Sequence, residues 1–210
     1  MNDITGRTDF VETWLTEMPQ GLGSFPTFDQ VEYAIKDRIK FGSPVIEVSK
    51  NTKKIVGQQV IYYWIESSFG EIILGVELQI KPQGLVVSVT GKNPKYSGKP
   101  PYASDLYNLI LKDSGKSIRL ISDDSLSDEG YNIWKRLFQQ GHRISVYDRT
   151  SPGKSFTTLN SIQDMDRYFG NDDTDFRQYQ YVLSEAGEGL AETRSYFNTR
   201  RMRELIPGLL

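Results

Sequence analysis

The sequence predicts an α/β fold: a mixed sheet that starts as an antiparallel meander and continues as a βαβαβ unit, with an N-terminal helix and a C-terminal helical extension added. Three observations predict it. Between residues 44 and 90, runs that alternate with a period of two are joined by connections too short for a crossover, so neighbouring strands pair antiparallel. Between residues 90 and 148, strand-like runs alternate with helices, and such strands pair in parallel through right-handed crossovers. The chain of 210 residues, 38% hydrophobic and 25% charged, is long and apolar enough to bury one good-sized core.

Each element has its own reason. In "DFVETWLTEM" (9–18), Val11, Trp14, Leu15 and Met18 share a helical face, and the glycines and prolines of "PQGLGSFP" end that helix. A second helix, "FDQVEYAIKDRIKFG", has Thr27 and Gln30 at capping-box spacing and a stripe of Val31, Ile35 and Ile39; Gly42 and Pro44 stop it. "PVIEVS" reads as a short strand, "NTKK" as a turn and "IVGQQVIYYWIES" as one long strand. In "EIILGVELQIK", Ile72, Leu74, Val76, Leu78 and Ile80 alternate with a polar face, and "PQG" turns the chain into "LVVSVT". A loop then opens the helix "ASDLYNLILKDSG", striped by Leu106, Leu109 and Ile110. "SIRLIS" is a strand. "SDEGYNIWKRLFQQG" is a helix with Ile133, Trp134, Leu137 and Phe138 inward, Ser125 or Ser127 as its cap and Gly141 just past its end. "RISVYD" is the next strand. Beyond it stand the loop "RTSPGKS", a short helix with an acidic turn in "SIQDMDRYFGNDDTDF", a strand in "RQYQYVLSEA" and a terminal helix.

The chain divides at residues 1–26, 27–148 and 149–210. The absence of cysteine excludes disulfides, thiolate metal sites and a cysteine nucleophile, and His142 alone excludes a two-histidine zinc motif, so no metal is expected. A net charge of −2 gives no case for nucleic acid or an acidic membrane surface. No run approaches the roughly 20 apolar residues of a membrane span, and the polar N-terminus does not read as a secretory signal. A cytoplasmic protein is expected. The segment "RSYFNTRRMREL", with Arg194, Arg200, Arg201 and Arg203, reads as a docking helix for the chain's own sheet or a neighbouring subunit, in a homo-oligomer or a larger assembly.

Two helices, a meander and then strand–loop–helix–strand–helix–strand resembles the GNAT-type N-acetyltransferase fold over residues 27–148, most closely in "LVVSVTGKNPKYSGKPPYASDLYNLIL" and "LFQQGHRISVYD". The resemblance implies that the strand ending near Val89 parts from its neighbour. It implies that the following loop and helix N-terminus hold the pyrophosphate of acetyl-CoA with backbone N–H groups and the positive dipole end. The coenzyme contacts it implies are Val87 and Val89 through their backbone, then Lys95, Tyr96, Ser97, Gly98 and Lys99. Lys95 and Gly98 take the places of the motif's arginine or glutamine and its first glycine. Pro100 stands at the second small position and has no N–H, as Pro101 has none. Phe138 stands where the family's proton-donating tyrosine stands, and Tyr131 lies two turns away on the same helix. The stretch "SDDSLSDEGYNIWKRLFQQGHRISVYD" is similar to GNAT-like proteins encoded by tailed bacteriophages, which would place the protein in a virion rather than the cytoplasm.

Two functions follow. One is acyl-CoA-dependent transfer to an amine substrate, with Glu77 as general base and strand amides polarising the thioester. The other is a GNAT-like fold without catalysis, kept as a binding or assembly module. Asp123 and Asp124, at a strand C-terminus, read as a catalytic pair or as helix N-terminal charges; His142 reads as part of a helix end. In "IYYWIES", Tyr63 faces opposite to Tyr62 and Trp64, as core packing requires.

Overall fold

The computed structural model describes residues 27–115, 118–123, 126–150, 156–169 and 178–184. The helix expected at 9–18, the terminal helix, Asp124 and Ser125 lie outside the described residues. In chain order the elements are α1 (Thr27–Lys40), β1 (Ile46–Ser49), β2 (Thr52–Val56), β3 (Val60–Glu66), β4 (Ile72–Lys81), β5 (Gly84–Lys92), α2 (Ala103–Ser114), β6 (Leu120–Ile121), α3 (Asp128–Gln139), β7 (Ile144–Asp148), β8 (Phe156–Thr158), α4 (Ile162–Phe169) and β9 (Tyr179–Leu183). The strands form one nine-stranded mixed sheet in the order β1-β2-β3-β4-β5-β6-β9-β7-β8. β1 to β5 make the antiparallel meander.

Three expectations change. "NTKK" is not a free-standing turn: Thr52–Val56 is a strand of its own, because Gly57 N–H donates to Val60 O at 2.8 Å and folds "IVGQQVIYYWIES" into a hairpin. Among the described residues, parallel pairing is confined to β5 with β6. β9 inserts between β6 and β7 and pairs antiparallel with both, so β7 has no parallel neighbour. The sheet therefore continues past residue 148. Finally, the face of β4 opposite Leu74, Val76 and Leu78 is not a free polar face, since α1 packs against β4 and β5 there. A Cβ on Gly75 would stand 3.0 Å from Val31 Cγ1 and 3.2 Å from Ile35 Cδ1, so glycine is what lets α1 approach so closely.

The sheet thus has a core on each face. On one side α2, α3 and α4 cover Tyr63, Leu74, Leu78, Leu85, Val146 and Tyr181. Tyr107, Trp134 and Tyr181 join their rings there. On the other side Phe28, Val31 and Ile35 of α1 pack on Ile55, Tyr62, Trp64 and Ile72, while Val86, Ile121, Tyr147 and Val182 form a second cluster on the same face; Ile39, expected in the stripe of α1, is exposed at the end of the helix, and Ile72, expected on the face of Leu74, turns to this one where the β3–β4 register shifts. Burying side chains of this size stabilises by roughly 1.5–3 kcal/mol each. In α2 the buried face centres on Leu106, Tyr107, Ile110 and Leu111, with Leu109 at its margin. In α3 it centres on Tyr131, Trp134 and Leu137, leaving Ile133 and Phe138 half-buried. Ser127 Oγ accepts from Gly130 N–H at the start of α3. At its end Gly141 (φ +86°) donates to Phe138 O and His142 N–H to Leu137 O, a Schellman closure.

Among the described residues, one charged group is deeply buried. Lys54 on β2 is 1% exposed. Its ammonium lies 2.7 Å from Asp113 Oδ2 at the C-terminal end of α2, and the Tyr63 hydroxyl donates to the same oxygen at 2.6 Å. This cluster fixes the far end of α2 to the meander.

Candidate functional site: an opened seam and a polar cleft

β5 and β6 are paired only at Leu85↔Leu120 and Val86↔Ile121. β5 runs on to Lys92, and no described strand pairs with its β6-facing edge beyond Val86. The bend has a local cause. Glu77 pairs with Val89 and Leu78 with Val87, so Ser88 is the extra residue of a β-bulge, a feature that bends and twists a strand. The side chain of Val87 enters the α2-side core and that of Val89 the α1 side. Past the bulge, Thr90 swings back to α2, where its hydroxyl meets the Tyr107 hydroxyl at 2.7 Å. Burial, and secondarily the Asp123 carboxylate, push the Tyr107 hydroxyl above its ordinary range, so it stays protonated. Tyr107 is thus held against the part of β5 that β6 does not pair.

The loop from Asn93 to Tyr102 closes on itself. Asn93 N–H donates to Ile73 O, and Asn93 Oδ1 accepts from Lys95 N–H. Tyr96 N–H goes to Asn93 O, Ser97 N–H to Pro94 O and Lys99 N–H to Tyr96 O. Pro94, Pro100 and Pro101 have no N–H to offer. Tyr102 N–H is taken by Asp105 Oδ2 at 2.9 Å, which also brings a negative charge into the first turn of α2. Glu71, just before β4, gathers Lys95 Nζ at 2.7 Å, the Tyr96 hydroxyl at 3.1 Å and Asn93 Nδ2 at 3.2 Å. The bond from Lys95, followed by that from Tyr96, holds the Glu71 carboxyl below its usual range, and Lys95 is raised in return. Lys92 Nζ donates to Lys99 O and Pro101 O, and lies over the Tyr102 ring with the Arg136 guanidinium, which is 3.9 Å from the ring centre. Gly98 (φ +71°) has open space around its Cα. Lys99 and Ser97 are exposed.

Glu77 sits half-buried under α1, directly opposite Tyr62. Burial first, and the Glu77 carboxylate second, push the Tyr62 hydroxyl up to about 12, while the Arg38 guanidinium pulls the other way. Phe138 packs against the α2-side core. Tyr131 donates to Asp166 Oδ1 at 2.7 Å and stacks on Phe169, so its hydroxyl is engaged between α3 and α4. Burial, then the charge of Lys112, lower His142, which keeps it neutral at neutral pH.

A cleft of about 240 Å³ opens beside the bulge, on the α1 side of the sheet. Val86 is its apolar floor, and Gln79, Lys81, Ser88, Asp123, Arg149 and Gln180 contribute its polar walls. Gln79 Nε2 donates to Ser88 Oγ at 3.3 Å. Gln180 is buried and donates Nε2 to Ser122 O at 2.7 Å, which leaves its carbonyl oxygen as an acceptor. Sequence reading missed this site because five separate segments build it. Of its residues, Asp123 is singled out by the sequence, and Ser88 is a polar residue inside "LVVSVT". Among the described residues no group of three His, Asp or Glu is placed to hold a metal ion, and no helix is long and apolar enough to cross a membrane.

Fold and site together define an α/β protein with a mixed sheet opened along one edge of β5 and a polar cleft beside the opening. Compared with known proteins, the sequence matches no family model and no curated protein.

Proposed function

We infer that this chain is a GNAT-like binding module that does not transfer acyl groups. The observation that carries the reading is the loop Asn93–Tyr102. A pyrophosphate needs converging backbone donors, and here the N–H groups of Lys95, Tyr96, Ser97 and Lys99 are bonded inside the loop. Pro94, Pro100 and Pro101 supply none, Lys95 is tied to Glu71, and Asp105 holds the α2 N-terminus with a negative charge. The chemistry of transfer is equally bare. Phe138 cannot donate a proton, the Tyr131 hydroxyl is engaged by Asp166, and Tyr107 fills the space beside Thr90. The bacteriophage resemblance suits a structural or host-interaction role for such a module.

The transferase reading has one observation in its favour: β5 leaves β6 after Val86, as a coenzyme slot between them would require. It assigns acetyl-CoA to Val87, Val89 and the loop residues Lys95–Lys99, with Glu77 as base. Thermal unfolding with acetyl-CoA separates the two. A ligand at a hundred times its Kd stabilises by about 2.7 kcal/mol, or roughly 5–10 °C for a chain of this size. No shift at millimolar coenzyme is expected. A saturable shift that Gly98→Trp or Lys95→Ala abolishes overturns the binding-module reading in favour of the transferase.

A further inference from the structure

We propose that the N-terminal segment, residues 1–26, docks on the half of the α1-side sheet face that β6, β9 and β7 form, and that it buries Val11, Trp14, Leu15 and Met18 there. This goes beyond the reading of the chain as a binding module and holds equally for a transferase. Val86, Ile121, Tyr147 and Val182 are 9%, 0%, 7% and 1% exposed, and every member of their cluster stands on a strand. The neighbouring cluster on the same face has Phe28, Val31 and Ile35 of α1 over its strands; this one includes no described helix residue. At its β8 end Phe156 leans on Tyr147 with ring centres 5.2 Å apart, and the Arg119 guanidinium lies 4.4 Å from the Phe156 ring centre. Ile121, on β6, and Val182, on β9, stand between Phe156 and the strands that α1 covers. Strand side chains point straight out of a sheet, so closing Ile121 and Val182 from solvent takes a second layer above them.

The place and length of the segment fit this face. α1 packs on β4 and β5. Helices packed side by side keep their axes about 8–10 Å apart, and two strand spacings of about 4.8 Å make the same distance. A neighbour of α1 on this face therefore lies over β6 and β9. The segment joins α1 at Thr27, and residues 19–26 reach up to about 26–29 Å when extended, enough to make that step and turn back. Val11, Trp14, Leu15 and Met18 follow the i, i+3, i+4, i+7 spacing of a stripe that needs an apolar surface, and the other face of the sheet is taken by α2, α3 and α4. Charge selects this segment over the other terminus. Lys81, Arg119, Arg143 and Arg149 stand on this half of the face against Asp123, an excess of three positive charges. Residues 1–26 hold Asp3, Asp9, Glu12 and Glu17 against Arg7, an excess of three negative charges. Residues 185–210 hold four glutamates and four arginines, which cancel. The attraction is a field effect and asks no side chain to leave its present partner.

The chain has no cysteine, so Thr13→Cys carries a single nitroxide label in the full-length protein, at a position off the Val11–Met18 stripe. Paramagnetic broadening of ¹⁵N amide signals is expected to be strongest at Ile121, Ser122, Val182 and Leu183, and weaker at Ile39, Phe41 and Val45, the exposed apolar residues at and beyond the opposite end of α1 from Thr27. Adding Trp14→Asp should abolish the broadening while leaving the amide shifts of β1 to β4 in place. Adding Glu12→Lys and Glu17→Lys, both off the stripe, should weaken it. A label at Ser195→Cys should spare Ile121 and Val182, and labelled ¹⁴N chain mixed with unlabelled ¹⁵N chain should broaden neither. Absence of broadening from Thr13→Cys, a maximum at Ile39–Val45 or an unaltered pattern with Trp14→Asp would each overturn the proposal. So would broadening of Ile121 and Val182 from Ser195→Cys, which makes the C-terminal segment the occupant, or in the mixed sample, which makes it a second copy.

Discussion

The loop Asn93–Tyr102, which follows β5, and the cleft beside the Ser88 bulge of β5 draw their polar groups from different distances along the chain. In the loop, backbone donors and acceptors meet each other within ten residues, Lys95 reaches the Glu71 carboxylate, and Lys92 just before the loop reaches its carbonyls. In the cleft, amides, a hydroxyl and charges from five segments face one open volume. A polar group already satisfied locally offers a ligand little net gain, because each new bond replaces an old one. Basic residues beside a helix therefore do not make an anion site by themselves. What matters is where their bonds already go.

The comparison breaks most visibly if the loop's support is removed from a distance. Lys54→Ala would leave Asp113 without its buried cation, and breaking such a pair costs about 3–5 kcal/mol. Denaturant midpoints should fall accordingly, and amide exchange should rise in α2, whose C-terminal end carries Asp113. Asn93→Ala acts within the loop. It removes the acceptor for Lys95 N–H and the donor to Glu71 and Ile72 O at a buried position, for about 1–3 kcal/mol. Its chemical-shift changes should stay in residues 71–73 and 93–102 and spare Gln180.

A pH titration sharpens the contrast further. Glu71 is depressed in the folded state, so its contribution is present above the ordinary carboxylate pKa of about 4.3 and is lost as pH falls through the lower folded value. Lys95 is raised, so its contribution is present below about 10.4 and is lost as pH climbs past its folded value. Amide shifts of Lys95 and Tyr96 should hold steady between those limits and move outside them. Glu71→Gln should remove the acidic transition. The smallest effect belongs to the cleft: Lys81→Ala should change stability by no more than about 0.5 kcal/mol, because the residue is exposed and at a strand end.

Much of the fold was legible. The meander, the order of strands and helices through β7 and the Gly141 helix end all follow from periodicity and turn chemistry. Two features were not. Gly57 splits one long β-rich run into two strands, and alternation looks the same on either side of such a turn. The place of β9 depends on which strand edges are free when it arrives, and no local pattern encodes that. Pro100 and Phe138, the departures from the family pattern, are visible in the sequence alone. The engagement of Lys95 and Tyr96 by Glu71, more than twenty residues back, had no signal in the loop itself. Ser88 stood out as polar in an apolar strand, but its partners come from other segments.

The position of β9 has a consequence for biosynthesis. The last of the described strands takes an interior seat, hydrogen-bonded to Leu120–Ile121 on one side and Ile144–Asp148 on the other. Translation advances at about 5–20 residues per second, so the 35 residues from Asp148 to Leu183 take roughly 2–7 s to emerge. Throughout that interval the nascent sheet exposes two bare edges at its centre, each a template for a foreign strand. A chaperone that shields those edges should raise the yield of native protein, and a chain stopped before Tyr179 should aggregate.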